Sequence, residues 1–183
     1  AMLAGVDYMS RWVLGDEDLS TILFVCFVGP ALLLTPVWQV VGQRVGKKRG
    51  YIASSLVLAA GAATLLAARS LPEGAVFAAT MLVGIGYAGA QMFPLAMLPD
   101  AAAVDARRTG QNRAGVYTGV WTAGETLGLA LGPGVYGLVL ALGGYRSSAG
   151  SSVPQPDSAL TAIVLGFGLI PAALVLLSLL WLR

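Results

Sequence analysis

The chain has 183 residues, of which 57% are hydrophobic and 11% charged, proportions that exclude an ordinary soluble domain and point to a chain that lives in a bilayer. Eleven Lys and Arg against nine Asp and Glu leave a net charge of +2, and no stretch interleaves bases with aromatics, which argues against a nucleic-acid partner. With no histidine and a single cysteine, Cys26, the chain offers no Cys/His metal site, no Cys/His catalytic pair and no intrachain disulfide.

A spanning helix needs roughly 20 mainly apolar residues, and such runs recur here between charged or turn-forming punctuation. Residues 1–14 form too short a run, carry Asp7 and Arg11 and lack a basic leader, so they read as the end of a helix whose beginning is missing. Asp7 and Arg11 stand one turn apart and suit each other as partners. Asp7 is also a candidate for contact with a solute or cation, because acids within spans tend to be functional. Full spans follow at 19–41, 51–68, 75–98, 115–143 and 159–182. The first holds Pro30 and Pro36, which bend a helix axis, and Trp38 and Gln39 near one end. Gln91 lies in the span 75–98, as does the string "GIGYAG", Gly84 to Gly89. That string matches a dinucleotide fingerprint by letter, but it lies inside a spanning helix rather than after a strand, so its glycines are expected to pack helices. The expected fold is an all-α integral membrane bundle, five full spans and a truncated one.

The loop "GQRVGKKRG" carries Arg44, Lys47, Lys48 and Arg49, and the loop around "DARRTGQNR" carries Arg107, Arg108 and Arg113. Basic residues are retained on the cytoplasmic side during insertion, so loops 42–50 and 99–114 are expected inside, and terminal Arg183 with them. "GDED", "RSLPEG" and the Ser, Gly and Pro-rich "GGYRSSAGSSVPQPDS" then fall outside. Lys47 to Arg49 are read as topology determinants and headgroup contacts. The expected location is an integral membrane, the cell (inner) membrane.

The span 115–143 contains one carboxylate, Glu125, ten residues in. At about 1.5 Å per residue that is roughly 15 Å of depth, near the middle of a hydrocarbon core about 30 Å thick. A charge there costs at least about 2.5 to 3.5 kcal/mol on insertion scales, so it faces a bundle interior or a watery cavity. Steps of three and four residues from Glu125 collect Tyr117, Thr118, Trp121, Thr122, Gly128, Gly132 and Tyr136 into a polar and aromatic stripe. The other side offers Val116, Val120, Leu127, Leu131 and Leu138 to lipid. Two readings of the stripe stand open. Glu125 titrates or binds a cation while Trp121, Tyr117 or Tyr136 stack on a solute and Thr122 donates to it. Otherwise Glu125 hydrogen-bonds a neighbouring helix, and Gly124, Gly128 and Gly132 let backbones approach. Gln91 has the same pair of readings. An enzyme is not indicated: there is no metal-ligand cluster and no serine paired with a base.

Four strings in order, "DYMSRWVLGDEDL", "GQRVGKKRG", "MLPDAAAVDARRTGQNRAGVYTGVWTAGETLGLALG" and "LALGGY", resemble the C-terminal half of the glycoside-pentoside-hexuronide:cation symporters. These are the melibiose-carrier-like branch of the major facilitator superfamily, to which eukaryotic lysolipid carriers are similar. The resemblance covers the end of helix seven through helix twelve. It implies a C-terminal six-helix bundle that rocks against an N-terminal six-helix half, here missing, with solute and H+ or Na+ exchanged by alternating access and no cofactor. The partners implied are a small solute, the lipid bilayer and that missing half.

"GQRVGKKRG" is similar to the superfamily's gating motif, with Gln43 in place of the usual acid and Arg44 and Gly46 retained. Asp100, Asp105 and Arg113 keep positions of the family's next inner loop, implying state-dependent ion pairs at a cytoplasmic gate. The family's lysine in the penultimate helix falls on Thr126, and Glu125 takes the position before it, so that lysine's role is not carried over. A carboxyl group suits proton coupling, because leaving water disfavours its charged form. The expected function is part of a secondary active transporter, a cation- or proton-coupled symporter of a sugar-like or small organic solute. The alternatives are a lysolipid or amphiphile carrier of the same fold and a non-transporting membrane scaffold subunit.

Overall fold

The computed structural model describes residues 2–16, 18–146 and 154–182. Arg183 and residues 147–153 of the Ser, Gly and Pro-rich loop lie outside these residues. Helix α1, Met2–Tyr8, continues into a π-helical turn, Met9–Leu14. There follow α2 (Leu19–Val45), α3 (Lys47–Leu65), a 3-10 turn at Ala68–Ser70, α4 (Glu73–Thr109) and α5 (Ala114–Leu142). The last crossing is α6 (Asp157–Val164), a second π-helical turn at Leu165–Leu169, and α7 (Ile170–Leu180). No strand occurs among the described residues.

The helices outrun the apolar runs at the basic end, and two expected boundaries need correction. The stretch 42–50 is not a loop: α2 continues through Arg44 to Val45, and α3 starts at Lys47. Gly46, at φ +92°, is the only residue between them, in a conformation that favours glycine. Likewise most of 99–114 is helical, since α4 runs on to Thr109. Its 37 residues make a rod of roughly 55 Å, well beyond a hydrocarbon core of about 30 Å. Charged residues marked the edge of the apolar zone, not the end of the helix.

Four runs, Leu19–Val45, Glu73–Thr109, Ala114–Leu142 and Asp157–Leu180, are long and apolar enough to cross a membrane. Of the five full spans expected, the run at 51–68 is present as α3 but falls short of that measure. Lys47, Lys48 and Arg49 occupy its first turn, and it ends at Leu65. Its apolar part is instead sheltered against α4, α7 and α2.

The α2–α3–α4 packing rests on small residues. A Cβ added at Gly84 would strike the Phe27 carbonyl of α2, one at Gly86 the Leu58 backbone of α3, and one at Gly89 the side chain of Ser54. These glycines of "GIGYAG" are therefore packing positions. Phe93, one turn further on, is 1% exposed and occupies a notch whose floor is Gly42 of α2 and Gly50 of α3, both too close to its ring to admit a side chain. Trp38 meets Phe93 edge-on at 6.0 Å, and its Nε1 donates to the Ile85 carbonyl at 2.7 Å, an interhelix bond.

Candidate functional site

Helix α5 is packed only near its far end. From Ala114 to Leu131 every residue except Tyr117 and Trp121 is exposed, Glu125 and Thr122 among them. Nothing in the structure would meet a Cβ at Gly124 or Gly128, so these glycines do not seat a neighbouring helix within this chain. The expected stripe also breaks at Tyr136, which is 2% exposed. That residue belongs to the core: its ring rests where Gly5 and Gly166 lack side chains, 5.8 Å from the Tyr8 ring, and its hydroxyl donates to the Ile163 carbonyl at 3.5 Å.

Tyr117 and Trp121 line a recess of about 420 Å³ between α4 and α5, together with Asp105, Arg113, Val116 and Val120. Two groups of residues that the sequence kept apart, the aromatics of the stripe and part of the gate, thus share one cavity. Val116 and Val120 belong to it as well, so they do not form a separate lipid-facing side. Tyr117 also borders an adjoining recess of about 360 Å³ with Asp100, Asp105 and Arg108. The Trp121 Nε1 atom is buried and has no acceptor among the described residues. Thr118, by contrast, is satisfied within its own helix through the Ala114 carbonyl at 3.1 Å.

Glu125 and Gln91 converge on a residue the sequence reading passed over. Tyr87 of α4 is half-buried, with its hydroxyl against the Gln91 side chain and within electrostatic reach of the Glu125 carboxylate. The Tyr87 ring also lies 5.2 Å from that of Phe27, tilted 44° to it. The signal was present, since Tyr87 and Gln91 are one helical turn apart, but it lay inside a string read for its glycines.

At the basic end the residues expected to form a gate pair differently from expectation. Asp100 pairs with Lys47, Nζ to Oδ2 at 2.5 Å, and the same ammonium donates to the Ala96 carbonyl at 2.9 Å. Lys47 is thus more than a topology marker. It sits in the first turn of α3, where the helix dipole disfavours a cation, and Asp100 offsets that. Arg44 is exposed in the last turn of α2, where the dipole favours it, and Gly46 makes the reversal. The Arg113 guanidinium is held by its neighbour Gln111, Nη2 to Oε1 at 2.8 Å, while Asp105 stands across the shared recess. Asp7, exposed, lies with Arg11 on the rim of a different recess that shares no lining residue with those near α5.

The model of the family described as MFS/sugar transport protein matches residues 1–183, the whole chain. The chain belongs to that family. This agrees with the resemblance in its motifs, with the all-helical membrane fold and with a transporter family rather than an enzyme family. Within the wider set of proteins, an uncharacterized symporter of Synechocystis sp. is 30% identical over 169 residues. The match covers 91% of the present chain and 31% of the symporter, so the chain spans about a third of the length of that relative. No solved structure matches the chain closely enough to count as a relative.

Proposed function

We propose that the chain is the C-terminal half of a secondary active transporter that couples H+ or another cation to the uptake of a sugar-like solute by alternating access. Family membership and the symporter relative support carriage of a small solute. The relative's greater length supports a further membrane half outside this chain. The observation that carries the reading is the first half of α5. It combines a carboxylate, two half-buried aromatics and a buried indole N–H without an acceptor on a helix that its own bundle leaves uncovered. Lipid supplies no solvation for that carboxylate, whereas an aqueous cavity facing a second half does. In this reading Glu125 loads and releases the coupling proton, with Tyr87 and Gln91 as its nearest polar neighbours on α4. Tyr117, Trp121 and Thr122 contact the solute, and the Lys47–Asp100 pair with Asp105 and Arg113 opens and closes the cytoplasmic side. The basic helix ends at 44–49 and 107–113 face the cytoplasm, and the membrane is the cell membrane.

The test is uptake into proteoliposomes by the full-length gene product and its Glu125→Gln variant, over a panel of sugars and lysolipids with and without a pH gradient. Sugar uptake whose pH drive disappears in the variant is the expected result. Equal pH drive in both proteins removes Glu125 as the coupling acid, and uptake confined to lysolipids replaces the solute class.

A further inference from the structure

The recess that holds Asp7 lies at the end of the bundle opposite the basic helix ends. Its walls are Asp7, Tyr8, Arg11 and Trp12, four residues on one side of α1 and its π-helical turn, and Tyr145 from just beyond α5. The rings are ordered against one another. Tyr8 meets Tyr145 edge-on at 5.2 Å, Trp12 meets Tyr145 at 6.3 Å and 80°, and Trp12 Nε1 donates to the Tyr145 hydroxyl at 3.2 Å. Aromatics that merely anchor a protein at the membrane surface disperse around its perimeter. Here three of them converge on one small space, with a carboxylate and a guanidinium at its edge. The π-helical turn that carries Arg11 and Trp12 is itself a rare geometry, frequent at functional sites.

We infer that this recess is a second solute station, at the outer mouth of the carrier, and that it takes a neutral polyhydroxylated ring of monosaccharide size. The inference rests on the sugar-carrier reading above for its solute class, but on none of the residues assigned there to transport.

Three properties select that ligand. The two charges at the rim, Asp7 and Arg11, cancel, so a neutral solute leaves neither in excess. The Asp7 carboxylate accepts from hydroxyl groups. The apolar bodies of Tyr8, Trp12 and Tyr145 offer contact to the C–H faces of a ring, and the polar edges remain hydrogen-bonded. The volume, about 220 Å³, is that of about seven waters at about 30 Å³ each. It lies below the roughly 300 to 1,000 Å³ of pockets for drug-sized ligands, which suits one ring better than two.

The experiment is calorimetric titration of the full-length protein in lipid nanodiscs with D-xylose, D-galactose and maltose, for the wild type, Asp7→Asn and Trp12→Leu. The expected result is a tenfold or larger rise in the monosaccharide Kd in both variants, with maltose at least tenfold weaker than the monosaccharides in the wild type. Asp7 is exposed, so its isosteric variant keeps the fold and tests the site even where Trp12→Leu does not fold. Absence of monosaccharide binding in the wild type, a Kd within twofold of wild type in Asp7→Asn, or maltose bound as tightly as the single rings overturns the station. The carrier reading fails separately: monosaccharide binding lost in these variants without any uptake by the wild type keeps the station and removes sugar transport. Uptake with binding unchanged in the variants does the reverse.

Discussion

Helices α4 and α5 follow each other in the chain and have nearly equal mean hydropathy, yet half of the most apolar stretch of α4 is buried and only 11% of that of α5. The difference lies in what their small residues meet. In α4, Gly84, Gly86 and Gly89 each lie against another helix closely enough that no side chain fits. In α5, Gly115, Gly119, Gly124, Gly128, Gly134 and Gly137 meet nothing among the described residues. Apolar content puts a helix in a membrane; it does not say whether the helix has a partner there. α4 is held by the other helices of this chain, whereas the first half of α5 leaves Thr122, Glu125 and its glycines exposed.

Phe93→Ala attacks the packed side of that comparison most directly. Removing a ring that fills the Gly42/Gly50 notch costs about 3 to 5 kcal/mol, to be read as a lowered midpoint in detergent or thermal unfolding. Gly86→Ala comes next, because its new methyl runs into the α3 backbone and forces the helices apart, at a cost of about 1 to 3 kcal/mol in the same assay. An unchanged midpoint for either variant would mean that α4 is not anchored as described. Lys47→Met breaks an ion pair whose partners are 43% and 62% exposed, so the stability loss is at most about 1 kcal/mol and shrinks with salt. Gly128→Ala, on the open helix, is expected to shift the midpoint by less than about 0.5 kcal/mol. A large loss there, measured on the full-length protein, would support packing of that glycine against the proposed further membrane half.

Much of the architecture was legible because the membrane is a severe solvent. Unpaired backbone groups are so costly in hydrocarbon that long apolar runs become helices whatever their local propensities. Pro30 and Pro36 accordingly lie inside an unbroken α2. Helix ends were less legible, since charge density reports where the bilayer stops and helices such as α4 continue past it. In the candidate site, the convergence of Glu125 with Gln91 needed Tyr87 from another helix, and the partner of Asp100 was one of three adjacent bases that sequence cannot tell apart. Tyr117 and Tyr136 look equivalent on a helical wheel. Only the neighbouring α1 and the π-helical turn at Leu165–Leu169 make Tyr136 a core residue and leave Tyr117 at a cavity wall.

By itself the sequence determined that the chain is an all-helical membrane bundle and which family's motifs it carries, because these follow from hydropathy, charge and short strings read along one dimension. The tertiary structure decided which of those polar residues share a space. Lys47 with Asp100 and Trp12 with Tyr145 are meetings between segments distant in sequence, and Trp121 with Asp105 joins two successive helices; these meetings depend on glycine contacts and helix extensions that set how the rods lie against one another.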